Sequence, residues 1–164
     1  MLGSLARKLR ALGFDATYYR SGDDAGIMEL SKREDRIILT ADRFLAARAG
    51  TTGLRAILVQ GNSDGKRVSS IARGAAAMGF GLTRGDPLCS ICGAELRSVK
   101  KEEVRERVPT SVRLRHRLFF ECSSCRQVYW RGSHWKKLMS LTRRLDPNQN
   151  APLLGRRPGR RNSR

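Results

Sequence analysis

Arg36-Ile37-Ile38-Leu39-Thr40-Ala41-Asp42 holds an apolar run too short for a helix and without the alternation of a half-exposed strand. Such a run suits a strand buried on both faces, the kind that parallel sheets use. Arg55-Ala56-Ile57-Leu58-Val59 is a second run of the same type. Helical patterns surround the two. Leu2, Leu5, Ala6, Leu9 and Leu12 recur at three- and four-residue spacing, and Gly13 follows as a C-terminal cap. The loop Ser21-Gly22-Asp23-Asp24 leads into a helix ending near Arg33, and a short helix starts near Asp42. Lys66 to Met78 forms a further helix through Val68, Ile71, Ala72 and Ala75. Phe14 to Tyr19 reads as another strand. The order α-β-α-β-α-β-α predicts an α/β fold, a parallel sheet with helices on its faces.

Gly79 to Pro87 reads as a linker, and beyond it the pattern changes. Cys89-Ser90-Ile91-Cys92 and Cys122-Ser123-Ser124-Cys125 are two CxxC pairs, and they hold all four cysteines of the chain. Each gap of two residues lets a pair of thiolates grip one tetrahedral ion, so Cys89, Cys92, Cys122 and Cys125 are candidate ligands of a structural Zn²⁺. Two disulfides, or unligated cysteines in a small core, are the other readings. The 29 residues from Gly93 to Glu121 are spanned by a hairpin with a helical insertion, and Gly93 permits the tight turn around a metal. Arg113 to Phe120 and Gln127 to Trp130 are the expected strands of this unit. Ser133 is the expected cap of a last helix with Trp135, Leu138, Met139 and Leu145 on one face. The expected units are therefore residues 1–84, a zinc-ribbon unit with its helix over residues 85–145, and a disordered basic tail over residues 146–164.

The formal net charge is +18 in 164 residues, and a surface this basic attracts polyanions, nucleic acid above all. Residues 136–164 carry nine Lys and Arg against one acid, whereas residues 1–84 carry fourteen against eight. No apolar run approaches the roughly 20 residues of a membrane helix, and the charges at Arg7 and Lys8 come too early for a signal peptide. The expected compartment is the cytoplasm, where thiols stay reduced.

Acids cluster in the front of the chain. Asp42 sits two residues past the buried run, where active sites of open parallel sheets gather. Asp23 and Asp24 lie in the loop before the second helix, and Glu29 lies on that helix. Carboxylates gathered at one sheet edge would be held by Mg²⁺ or Mn²⁺, which activates water against a phosphodiester. The competing explanation is capping, with Asp24 and Asp42 as helix N-caps. In Tyr129-Trp130-Arg131-Gly132-Ser133-His134-Trp135, aromatics alternate with Arg and His, which suits stacking on bases and contact with phosphate. Packing of the small cysteine-bearing unit is the alternative for Trp130 and Trp135. His134 is a candidate general acid or phosphate ligand.

These residues resemble one family. Met1-Leu2-Gly3-Ser4-Leu5-Ala6-Arg7-Lys8-Leu9-Arg10-Ala11-Leu12-Gly13-Phe14-Asp15 is similar to the opening helix of the Mut-seven C-terminal RNase domain, and Arg36 to Arg43 resembles its central strand and acidic motif. Cys89 to Gly93, Val108-Pro109, Phe119 to Cys122 and Tyr129 to Trp135 resemble its zinc-ribbon end. The resemblance implies a PIN-like nuclease domain fused to a zinc ribbon, acting on RNA with a divalent metal. It implies metal-binding roles for Asp42 and Asp24, more weakly for Asp23 and Glu29, and leaves Asp64 as a further candidate. Two departures stand out. Ala41 occupies a position where the family usually has Arg. The family pattern also begins with an apolar strand ending in Asp just before the Met-Leu-Gly helix, and that strand is not in this sequence. A misassigned start is the expectation here, against a degenerate and inactive relative. A non-catalytic RNA-binding protein, drawing its affinity from the ribbon and the tail, is the alternative function. Substrate and oligomeric state are not written in these motifs.

Overall fold

The computed structural model describes residues 2–142. Leu145 and the tail predicted over residues 146–164 lie outside the described residues. Helix α1 (Gly3–Ala11) buries Leu5, Ala6 and Leu9. It ends as its sequence predicts: Gly13 takes a φ of +92°, its N–H bonds the Arg10 carbonyl at 2.9 Å, and the Phe14 N–H bonds the Leu9 carbonyl at 3.0 Å. These two bonds satisfy carbonyls that a helix end leaves free.

Helix α2 (Asp24–Glu34), strand β1 (Ile38–Thr40), helix α3 (Arg43–Thr51), strand β2 (Ala56–Leu58) and helix α4 (Asp64–Ala77) follow. The two strands pair in parallel, with Ile38 opposite Ala56 and Thr40 opposite Leu58. Ile57 joins α1 and α4 in one core with Leu5, Leu9, Leu12, Val68 and Ile71. Ile38 packs on the other side with Leu45 and Ala49 of α3. Both apolar runs are thus covered on two faces, as their lack of alternation predicts.

The strand predicted over residues 14–19 does not form. An extended segment becomes a strand only against a paired neighbour, and β1 pairs with β2 alone among the described residues. A cavity of about 500 Å³ separates residues 14–19 from the free edge of β1, walled by Leu5, Leu9, Phe14, Ile37, Leu39 and Ile57. The segment is tied down elsewhere: Arg36 bonds the Asp15 carboxylate at 2.7 Å, and Phe14 and Ala16 pack on the main core.

The second half forms an antiparallel sheet in the order β3 (Leu96–Val99), β4 (Phe119–Cys122), β5 (Val128–Trp130). Between β3 and β4 lie a 3₁₀ turn (Glu102–Val104) and helix α5 (Thr110–Arg115), the helical insertion expected there. The strand expected from Arg113 is therefore shorter. Pro109 starts a helical turn, with its carbonyl bonded by Val112 and Arg113, and the strand begins only at Phe119. Strand β3, not among the strands expected from the sequence, pairs antiparallel with β4 and makes the first arm of the hairpin between the CxxC pairs. Val99, Val104, Val108, Phe119 and Val128 form the core of this sheet. Helix α6 (Ser133–Ser140) starts one residue earlier than expected, since Gly132 and not Ser133 holds the N-cap position and Ser133 is the first helical residue. Leu138, Met139 and Leu141 pack back on the first core. The halves also meet through α1, where the Arg10 carbonyl accepts from Leu88 and the Arg10 guanidinium donates to the Ile91 carbonyl at 2.7 Å. Among the described residues no helix is long and apolar enough to cross a membrane.

Candidate functional site

Strands β3 and β4 bring the two CxxC pairs together. Cys89 lies ahead of β3, Cys122 ends β4, and an isolated bridge between Leu88 and Glu95 closes the first turn. Cys89, Cys92, Cys122 and Cys125 present sulfurs that all lie within 4.8 Å of one another. The Cys89–Cys125 and Cys92–Cys122 sulfurs are 3.5 and 3.4 Å apart. Disulfide sulfurs lie at about 2.05 Å, so these thiols are not bridged, and all four are free. Four sulfurs at about 2.3 Å from one tetrahedral Zn²⁺ would be about 3.8 Å apart. The cluster brackets that spacing.

The surroundings of the thiols also suit a metal. Cys122 Sγ accepts from the backbone N–H of Ser124 at 3.4 Å and of Cys125 at 3.3 Å. The Tyr129 hydroxyl reaches Cys89 Sγ at 3.1 Å and Ser90 Oγ at 3.2 Å. Burial alone would raise the Cys89 thiol, but the N–H groups of Cys92 and Ile91 and the Tyr129 hydroxyl bring it down to about 6. Against the Gln127 N–H, which works the other way, burial and the thiols of Cys89, Cys122 and Cys92 push Cys125 up to about 12. Thiols this close cannot all ionise without a cation among them. A divalent ion held by Cys89, Cys92, Cys122 and Cys125 would supply that charge, and its binding would expel the remaining protons. The donor set is all sulfur and complete at four, so it fits a closed structural Zn²⁺ with no position for a reacting water.

The residue after each pair has left-handed backbone. Gly93 takes φ +87° and Arg126 takes φ +65°. Glycine adopts this conformation freely, whereas another residue gives up about 1–2 kcal/mol. The Arg126 side chain joins a cluster. Glu121, 1% exposed, faces three guanidinium groups: Arg97 on its Oε2, and Arg107 and Arg126 on its Oε1 at 2.7 and 3.2 Å. Burial works against the Glu121 charge, and Arg107, Arg97 and Arg126 outweigh it, holding the carboxyl below the ordinary glutamate range. Sequence reasoning missed this cluster. Its one readable signal is an Arg following the second CxxC where Gly follows the first.

The front acids lie at helix starts. Asp23, not Asp24, caps α2: its Oδ2 accepts from Gly26 N–H at 2.7 Å and its Oδ1 from the Tyr19 hydroxyl at 2.8 Å. The Tyr19 hydrogen bond, then that of Gly26, holds the Asp23 carboxyl below its usual range. Asp24 sits in the first turn, with Arg48 at 3.8 Å. Glu29 is exposed on α2. Asp42 caps α3, and a single oxygen, Oδ1, accepts from both Phe44 N–H at 2.7 Å and Leu45 N–H at 3.3 Å. Its Oδ2 has no protein donor among the described residues. Asp64 opens α4 and pairs with Lys8 at 2.6 Å. The four cysteines are the one group of three or more potential ligands within 4.8 Å among the described residues. Asp23, Asp24, Glu29 and Asp42 form no such group of three.

The aromatic motif divides between two tasks. Trp130 packs on the β3–β4–β5 core, as the packing alternative expects. Arg131 lies over the rings of Phe120 and Trp135, 5.7 Å from each. His134 is exposed.

A mixed α/β chain with a four-thiol centre on an antiparallel sheet is the class that this fold and site define. The model of the Mut7-C RNAse domain matches residues 1–142, and the chain belongs to that family. No curated protein and no solved structure matches the chain.

Proposed function

We propose that this protein acts on RNA as a nuclease, with a PIN-like front unit over residues 1–84 and a zinc ribbon that helps to hold the substrate. The observation that carries the reading is Asp42, exposed just past the carboxyl end of β1, with no protein donor on its Oδ2 among the described residues. A carboxylate oxygen so placed can take a proton from water or orient it toward a phosphodiester. Asp24, in the first turn of the preceding helix, is the second acid of this reading. Zn²⁺ on Cys89, Cys92, Cys122 and Cys125 holds the ribbon in shape and takes no part in bond cleavage. A net charge of +18 supports RNA as the partner, since phosphate contacts dominate nucleic-acid affinity.

A second reading is favoured by the dispersed carboxylates: a non-catalytic RNA-binding protein of nuclease descent. Asp23 and Asp42 both serve as caps, and Asp24 and Asp64 both face cations. One experiment separates the two. The full chain is incubated with end-labelled single-stranded RNA, with Mg²⁺ or Mn²⁺ added in parallel reactions. Cleavage that survives repurification and disappears in an Asp42→Asn variant supports the nuclease. Retarded but intact RNA in every reaction supports the binding protein.

A further inference from the structure

We propose that Arg97, Arg107 and Arg126, gathered on the buried Glu121, form a seat for one phosphate group of an RNA backbone beside the four-thiol centre. The inference rests on the RNA reading above and names where on the ribbon the backbone is held.

The three arginines come from three places. Arg97 is the β3 residue directly opposite Glu121 in the sheet register. Arg107 comes from the insertion between β3 and β4, and its other amino group donates to the Arg126 carbonyl at 3.0 Å. Arg126 comes from the second CxxC turn, where left-handed backbone aims it at the same carboxylate. One carboxylate offsets one guanidinium charge, so the cluster keeps two positive charges in excess. Satisfying Glu121 does not require three partners. Its Oε1 contacts with Arg107 and Arg126 do not reach hydrogen-bond geometry, so the oxygen is crowded by charge and not cradled by donors.

The side chains face outward from this anchor. Arg97, Arg107 and Arg126 are 49%, 40% and 62% exposed while Glu121 is sealed. Each guanidinium offers five N–H donors, and Glu121 with the Arg126 carbonyl engages only some of them. The remainder form a fork held in place before any ligand arrives, the arrangement that recognises phosphate oxygens. A phosphodiester brings one negative charge and leaves the cluster at one positive. Arg126 stands in left-handed backbone that glycine would fit without strain, and its side chain reaches Glu121 from there.

The test is the anisotropy of a fluorescein-labelled twelve-nucleotide polyuridylate titrated with the full chain across a salt series, without added divalent cation. Arg126→Gly relieves the backbone while removing the guanidinium, so it is expected to keep or raise the Tm and to keep the bound metal. A second variant combines Arg97→Gln with Arg126→Gln, and a control combines Lys32→Gln with Arg33→Gln on α2. The seat predicts roughly tenfold weaker binding for the Arg97–Arg126 pair and a salt slope shallower by about 0.7, one phosphate on a single strand. Arg126→Gly weakens binding in the same direction, and the control stays within about twofold of wild type. If wild type binds RNA and both seat variants match the control, the seat is wrong and the RNA reading stands. If wild type does not bind RNA at any salt concentration, the RNA reading fails and the seat with it.

Discussion

Removing the metal from the ribbon should unfold that half of the protein and leave the other half standing. Its core holds five buried apolar side chains, Val99, Val104, Val108, Phe119 and Val128. At about 1.5–3 kcal/mol for each such side chain, their burial contributes roughly 8–15 kcal/mol. A structural Zn²⁺ contributes an apparent 10–16 kcal/mol in small zinc-binding domains. An ion on the four thiols would thus match the entire apolar core of this unit. The core around Leu5, Leu9, Leu12, Ile57 and Val68 includes no ribbon residue from β3, β4 or β5. The perturbation is a strong chelator, with Cys122→Ser as its genetic counterpart, since Cys122 is fully buried and accepts two backbone N–H groups. Metal content should be one zinc per wild-type chain. Chelation should shift Trp130 fluorescence to the red and erase hydrogen-exchange protection from β3, β4 and β5. Protection at Thr40, Ile57 and Val59 should persist. A metal-free chain whose ribbon amides remain protected would refute the claim that the ion holds this unit together.

Replacing Asp42 separates its two possible roles. Asp42→Ala leaves the Phe44 and Leu45 N–H groups without their acceptor and should cost about 1 kcal/mol, or 2–4 °C in a thermal melt. Asp42→Asn keeps a capping oxygen and should melt close to wild type. Asp23 titrates below its ordinary range in the folded protein, so it adds stability above the unfolded value of about 4, lost as pH falls through the folded value. Carboxyl NMR titration of a Tyr19→Phe variant should show the Asp23 value moving upward, because the largest cause of its depression is gone. Gly13→Ala should lower the Tm by roughly 4 °C or more, as φ +92° alone costs about 1–2 kcal/mol and the new Cβ would strike the Gly85 carbonyl.

Much of the fold was legible because its signals are local. Ile37 to Thr40 and Ala56 to Val59 lack alternation, and both strands are indeed covered on two faces. Gly13 announced the end of α1 through the one conformation that closes it. The spacing of Cys89, Cys92, Cys122 and Cys125 foretold their convergence, since each turn sets its own pair. Other features depend on partners distant in sequence. Residues 14–19 have strand composition, but a strand exists only through pairing, and among the described residues β1 pairs with β2 alone. Arg113 to Arg115 has nothing against a strand until Pro109 is recognised as the start of a helical turn. The choice of Asp23 over Asp24 as cap follows from Tyr19 and Gly26, which the loop alone does not place. The Glu121 cluster was illegible for the same reason. It exists through the register that sets Arg97 opposite Glu121, and through the φ of Arg126.

The nuclease claim is tested most directly by single-turnover cleavage of an end-labelled RNA, with wild type and Asp42→Asn each saturating. Saturation removes differences in binding, and the asparagine preserves the helix cap, so the rate reports the carboxylate alone. A positioned acid or base contributes about 10²–10⁴-fold, so the account predicts a rate at least about 100-fold lower for Asp42→Asn with an unchanged Kd. Equal rates for the two proteins, or no cleavage by wild type with either Mg²⁺ or Mn²⁺, would contradict it.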